Sequence, residues 1–175
     1  YSAVRFLCRA PGQAEADSKK RNNGIIVIHQ QSLNSCRRNF LRRKVYMKIH
    51  GLNKLTLLDY PGHMACLIFT GACNYRCPFC HNASLVLNPN SQPAISEEEI
   101  FAFLQTRRGV LEGVCISGGE PTLQADLPEF IRKIRAMDFH IKLDTNGSRP
   151  GILKSLLGEG LLDYVSMDIK NAPNK

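Results

Sequence analysis

Three cysteines, Cys73, Cys77 and Cys80, stand at the spacing C-x3-C-x2-C. Thiolates are soft ligands suited to iron–sulfur clusters or to zinc. A four-iron cluster normally takes four such ligands, and no fourth cysteine follows in the same short stretch. Three protein ligands around four irons leave one iron open, and an open coordination site is where chemistry takes place. Other readings use the same residues. His81 would complete a Cys3His zinc set, although adjacent ligands at Cys80 and His81 fit poorly where structural zinc draws on two separated pairs. The run Cys77-Pro78-Phe79-Cys80-His81 fits the C-x-x-C-H pattern of covalent haem, and Cys77 with Cys80 could form a redox dithiol. Both of these leave Cys73 without a role.

The elements around the cysteines repeat as strand, loop and helix. Residues 64–70 form an apolar run with aromatic and branched members, which predicts a buried strand leading into the cysteine loop. Ser96-Glu97-Glu98-Glu99 is a capping box that predicts a helix to about residue 107, with Ile100, Phe103 and Leu104 on one face. Residues 114–117 are a second strand ending in Gly118-Gly119-Glu120-Pro121. Asp126 is expected to cap a second helix whose apolar face is Leu127, Phe130, Ile131 and Ile134. Residues 140–143 are a third strand ending in Asp144-Thr145-Asn146-Gly147, and a third helix is expected over 151–157. Residues 164–167 are a fourth strand, ending in Asp168-Ile169-Lys170. Strands alternating with helices argue for a parallel sheet with right-handed crossovers. Each unusual motif falls just after a strand, the rim on which βα-barrels assemble their sites. The expected fold is α/β, a partial (βα) barrel, and its stop after the fourth strand is read as a C-terminal truncation.

Composition narrows the rest. The net charge of +8 lies wholly in residues 1–46, which hold ten of the 23 Lys and Arg and two of the 15 Asp and Glu. That leaves thirteen of each sign in residues 47–175, so this part offers no bulk electrostatic footprint for nucleic acid. Residues 1–46 read as a basic tail, either disordered or upstream sequence before a natural start at Met47, with a targeting peptide as the alternative. No run of 18 apolar residues suggests a membrane span. Seven cysteines, three of them crowded into eight positions, suit a metal site in a reducing compartment better than a disulfide framework, so cytoplasm is the expected location. Cys66 and Cys115, inside apolar strands, are expected to be core residues.

Taken together, the chain from 47 to 175 resembles the radical S-adenosylmethionine superfamily. The residues that carry this are Leu57-Leu58-Asp59-Tyr60-Pro61-Gly62, the run from Phe69 to Asn82 with its three cysteines, Gly118-Gly119-Glu120-Pro121 and Asp144-Thr145-Asn146-Gly147. Within the superfamily it looks most like activating enzymes of glycyl-radical enzymes, and among those the activators of anaerobic ribonucleoside-triphosphate reductase. The resemblance implies an oxidoreductase in which Cys73, Cys77 and Cys80 hold a [4Fe–4S] cluster. There S-adenosylmethionine is cleaved reductively, and a glycyl radical is generated on a partner enzyme. It also implies a low-potential electron donor such as flavodoxin or ferredoxin. Neither nucleic acid nor a membrane is an expected partner.

The same resemblance implies roles for single residues. Phe79 would stack near the adenine, against the plainer reading of a core phenylalanine, and His81 would lie beside the adenine through its backbone. Gly118 and Gly119 would let the methionine amine approach the backbone, with Glu120 stabilising that site, against the plainer reading of a tight strand-to-helix turn. Asp144 would face the amine, Asn146 the ribose, and Lys170 the methionine carboxylate. A monovalent cation would sit near Asp144 and Asp168. The family's later strands carry further contacts beyond residue 175. Another radical enzyme acting on a small molecule, of the deazapurine-forming kind, and a non-catalytic zinc module are the rival readings.

Overall fold

The structure, a computed structural model, describes residues 47–170. The expectation for residues 1–46 lies outside the described residues. Five strands form one sheet in sequential order: β1 (Ile49–Thr56), β2 (Ala65–Thr70), β3 (Gly113–Gly118), β4 (His140–Thr145) and β5 (Tyr164–Met167). Pairs β2–β3, β3–β4 and β4–β5 are parallel, as the alternation of strands and helices requires. The addition is β1, which pairs antiparallel with β2 from Ile49↔Thr70 to Thr56↔Ala65. Its sequence, Ile49-His50-Gly51-Leu52-Asn53-Lys54-Leu55-Thr56, mixes weak strand formers with no clean alternation. Pairing with β2 overrides that local preference, with irregular register between Ile49 and Gly51 and between Asn53 and Thr56.

The helices follow their local signals. Helix α1 (Ala83–Leu87) is a short turn after the cysteine loop that the sequence reading did not assign. Helix α2 (Glu97–Gln105) carries the complete capping box: Ser96 Oγ accepts from the Glu99 N–H at 3.1 Å, and the Glu99 carboxylate accepts from the Ser96 N–H at 2.9 Å. Such a cap contributes about 1 kcal/mol. Helix α3 (Leu127–Arg135) buries the expected Leu127, Phe130, Ile131 and Ile134. Asp126 precedes it but makes no side-chain cap, and both its carboxylate oxygens are buried without a partner among the described residues. Helix α4 (Pro150–Gly158) buries Leu153 and Leu156.

These helices cover one face of the sheet. Ile68, Val114, Ile116, Ile141 and Leu143 from the strands meet Ile100, Leu104, Phe130, Ile131, Ile134 and Leu156 in one core. Because side chains alternate along a strand, the residues between them belong to the other face: Leu67, Cys115, Lys142 and Tyr164, which stand in register across four strands. The result is an open α/β sheet, a partial (βα) barrel, with its helices outside and a mixed polar face inside. Among the described residues, no helix is long and apolar enough to cross a membrane.

Candidate active site

The cysteine loop leaves β2 under tight backbone control. Gly71 N–H donates to the Lys48 carbonyl at 2.9 Å, Ala72 N–H to Leu85 at 2.9 Å, and Ala72 adopts φ 68°. Gln124 Nε2 reaches the Gly71 carbonyl at 2.8 Å from beyond β3. Arg76 donates to the carbonyls of Cys73 and Tyr75 at 2.7 and 2.8 Å, folding the loop on itself, and Cys80 N–H closes a turn onto the Cys77 carbonyl at 3.1 Å. The three cysteines are free thiols, half-buried, and face one cavity.

That cavity has a volume of about 410 Å³, inside the range of roughly 300–1,000 Å³ typical of small-molecule sites. Every candidate named from the sequence lines it except Glu120: the three cysteines, Phe79, His81, Gly118, Gly119, Asp144, Asn146, Asp168 and Lys170. They come from the loops after β2, β3, β4 and β5, which the parallel sheet places on one rim. Phe79 is 66% exposed, so its ring is not a core plug and is open to a ligand.

Glu120 lies behind this lining and is fully buried. One carboxylate oxygen accepts from the Thr122 N–H at 3.1 Å, the Thr122 hydroxyl at 2.5 Å and the Thr145 hydroxyl at 2.8 Å, and the other accepts from the Asn146 N–H at 2.7 Å. It is therefore a clasp between the loops after β3 and β4, with no oxygen turned to the cavity. The glycines before it have packing reasons of their own. A Cβ on Gly119 would lie 1.9 Å from the Ala72 carbonyl oxygen, and one on Gly118, at φ +110°, would lie 2.3 Å from the Thr70 nitrogen. Their bareness lets the β3 loop bond the cysteine loop directly, through Gly119 N–H to Thr70 at 2.9 Å and Glu120 N–H to Ala72 at 2.8 Å.

Several contributors were not singled out by the sequence reading. Asn82 Nδ2 donates to the Gly118 carbonyl at 3.0 Å, and Asn74 bridges Ser148 at 2.8 Å and Asn146 at 3.0 Å, tying the cysteine loop to both neighbours. Lys142 is the least expected. It sits in the middle of β4, is 5% exposed, and pairs with Asp144 while its ammonium lies 3.6 Å from Cys115 Sγ. Burial pulls its pKa down, but the bond to Asp144 and the charges of Cys115 and Asp144 outweigh this and hold it above the ordinary lysine value. The signal was visible in principle: a lysine flanked by Ile141 and Leu143 in a buried parallel strand needs a partner. Cys115 and Cys66 are buried as expected, and burial pushes each thiol up to about 12.

The donor set suits an iron–sulfur cluster. Tyr75 N–H and Asn146 Nδ2 point at Cys73 Sγ, at 3.4 and 3.8 Å, and hydrogen bonds to a ligand sulfur tune cluster potential. Among the described residues, no three His, Cys, Asp or Glu side chains converge on one metal ion. All three cysteines share the cavity, which gives Cys73 the place that haem attachment or a simple dithiol would deny it.

An α/β sheet with a three-cysteine loop on the rim of a partial barrel is the arrangement of a cluster-binding enzyme domain. The chain belongs to the radical SAM superfamily, whose family pattern matches residues 67–175. It is 37% identical over 123 residues to a protein of Methanocaldococcus jannaschii named as a glycyl-radical enzyme activating enzyme, covering 70% of this chain and 50% of that one. It is 30% identical over 129 residues to the pyruvate formate-lyase-activating enzyme of Clostridium pasteurianum, covering 71% and 52%. A protein of Thermococcus kodakarensis named as a GTP 3′,8-cyclase is 32% identical over 100 residues, covering 57% and 32%. QueE from Escherichia coli superposes with a TM-score of 0.49 at 19% identity, over 63% of this chain and 56% of that one. The chain thus spans about half the length of the activating enzymes it matches, and less of the cyclase.

Proposed function

We propose that the chain is the cluster-bearing part of a glycyl-radical enzyme activase, with an anaerobic ribonucleotide reductase as its partner and the cytoplasm as its setting. The carrying observation is the convergence of four rim loops on one cavity that presents three free thiols beside Asp144, Asn146, Asp168 and Lys170. Cys73, Cys77 and Cys80 would hold a [4Fe–4S] cluster. When bound there, the cluster supplies an electron for cleaving the sulfonium of S-adenosylmethionine at its open iron.

The chain's own residues do the binding and orienting. Lys170, 32% exposed at its side chain and 2.7 Å from Asp168, can turn its ammonium to a carboxylate in the cavity. Asp144 presents a carboxylate to an incoming amine. Phe79 offers an open aromatic face on which a base can stack. Asn146, fixed through its N–H by Glu120, lines the cavity and would face the ribose. Similarity to the two activating enzymes supports a glycine on a partner protein as the hydrogen donor. Similarity to the GTP 3′,8-cyclase supports a second reading, in which the acceptor is a small molecule.

The test is anaerobic reconstitution with iron and sulfide, followed by low-temperature EPR of the reduced protein with and without S-adenosylmethionine. A [4Fe–4S] signal that changes on adding the nucleotide supports the cluster and its open iron. A glycyl doublet on the added reductase supports the activase, whereas turnover of the nucleotide by a small molecule alone supports the second reading. Protein that takes up zinc and stays EPR-silent refutes both.

A further inference from the structure

Asn74, Asn146 and Ser148 close a ring of hydrogen bonds beside Cys73. The Ser148 N–H donates to Asn146 Oδ1 at 3.0 Å, Asn146 Nδ2 donates to Asn74 Oδ1 at 3.0 Å, and Asn74 Nδ2 donates to Ser148 Oγ at 2.8 Å. A backbone N–H can only donate, so Ser148 holds the oxygen of the Asn146 amide and turns its nitrogen to the cysteine loop. Glu120 fixes the same residue from its backbone, accepting the Asn146 N–H at 2.7 Å. The amide nitrogen carries two hydrogens. Asn74 takes one, and the other points at Cys73 Sγ, 3.8 Å from the nitrogen and within reach of the large sulfur atom. Tyr75 N–H meets the same sulfur at 3.4 Å. Among the described residues, Cys73 is the one cysteine of the three whose sulfur receives donors from the protein. The Asn146 oxygen keeps a second lone pair, so a ligand hydroxyl can meet it without opening the ring.

We propose that Asn74 is a positioning residue that sets the reduction potential of the site: with Ser148 it aims one Asn146 amide hydrogen at the Cys73 thiolate and makes a bound cluster easier to reduce. This rests on the reading of the three cysteines as cluster ligands. A donor at a ligand sulfur draws electron density from it and so favours the reduced, more negative cluster. The Tyr75 donor belongs to the backbone and stays when side chains are exchanged, so the ring is the adjustable part. Asn74 is itself exposed, and the cysteine loop has separate supports in Arg76 and Gln124. Removing its side chain therefore opens the ring and leaves the path of the loop in place.

The experiment uses the full chain, reconstituted anaerobically with iron and sulfide and without nucleotide, as wild type, Asn74→Ala, Ser148→Ala and the double variant. EPR of samples poised at a series of solution potentials reads the fraction of reduced cluster, and iron per chain is measured on the same samples. Asn74→Ala is expected to keep its iron while the ratio of reduced to oxidised cluster falls about threefold at a given potential. That is a fraction of the weight of one hydrogen bond to a charged acceptor. Ser148→Ala is expected to move the ratio in the same direction, and the double variant no further than Asn74→Ala alone, because all three open one ring. Where Asn74→Ala holds too little cluster to read, Ser148→Ala, outside the cysteine loop, decides alone. A merely structural ring would cost iron without moving the potential of the clusters that remain, and that outcome overturns the proposal. So do shifts that add in the double variant. Wild-type protein that assembles no reducible cluster refutes the cluster reading and the proposal with it, whereas a cluster whose potential no variant moves refutes the proposal alone.

Discussion

Glu120→Gln is the most informative single substitution because it changes one atom and no volume. The carboxylate receives backbone N–H groups on both oxygens, from Thr122 at 3.1 Å on one and from Asn146 at 2.7 Å on the other. The hydroxyls of Thr122 and Thr145 can rotate to accept from an amide, but a backbone N–H cannot. Whichever way the glutamine amide is turned, its NH2 faces one N–H donor in a fully buried site. Leaving a buried donor unsatisfied costs about 1–3 kcal/mol, and a bond to a charged acceptor is worth about 1.5–3 kcal/mol. The expected destabilisation is about 2–4 kcal/mol, or a fall in Tm of roughly 6–20 °C for a domain of this size. The assay is thermal and urea denaturation of apoprotein, with iron content and nucleotide affinity after reconstitution. Because the clasp sets Asn146 while the cysteine loop has separate supports, cluster content should persist while nucleotide affinity drops. A glutamine variant within about 0.5 kcal/mol of wild type, with unchanged affinity, would refute the clasp.

Other outcomes follow from the same geometry. Gly119→Ala must push the Ala72 carbonyl from 1.9 Å out to ordinary contact, moving the residue next to Cys73, so iron bound per chain after reconstitution should fall severalfold. Gly151→Ala, with nothing within 4 Å of the new Cβ at the start of α4, should instead be neutral or stabilising by up to about 1 kcal/mol in urea denaturation. Cys77→Ala should abolish the iron–sulfur absorbance, while Cys115→Ala keeps it. In native apoprotein a thiol reagent should modify Cys73, Cys77 and Cys80 and spare Cys115, which burial holds near pKa 12 as the unreactive thiol. Burial pushes the Asp163 carboxyl up, but hydrogen bonds from the Ile141 N–H and Arg135 outweigh it and hold it below the ordinary range. A depressed carboxylate stabilises the fold above its unfolded pKa and loses that contribution as pH falls through the folded value. Asp163→Asn should therefore lower the urea midpoint at neutral pH, and the gap to wild type should close in acid below the ordinary carboxylate value of about 3.9.

What the sequence determined by itself is local. The cysteine spacing names its ligands whatever the surroundings, and the capping box at Ser96 and the apolar face at Leu127, Phe130, Ile131 and Ile134 depend only on neighbours within a few residues. Alternation of strand and helix then fixed a parallel sheet, and a parallel sheet places its strand-end loops on one rim. That is why the cysteines, Asp144 and Lys170 meet in one cavity although they are far apart in sequence. The tertiary structure decided what depends on contacts between distant segments. Strand β1 exists because β2 offers it an open edge, since its own residues favour no strand. Glu120 belongs to the clasp because Asn146 lies in the loop after the next strand, and Gly119 is bare because Ala72 crosses it. Lys142 could be read as a solvated lysine or a paired one, and only the burial of β4 between its neighbours settled which. Hydrogen bonding and desolvation act through space, and twenty or seventy residues of separation leave no trace of them in a local pattern.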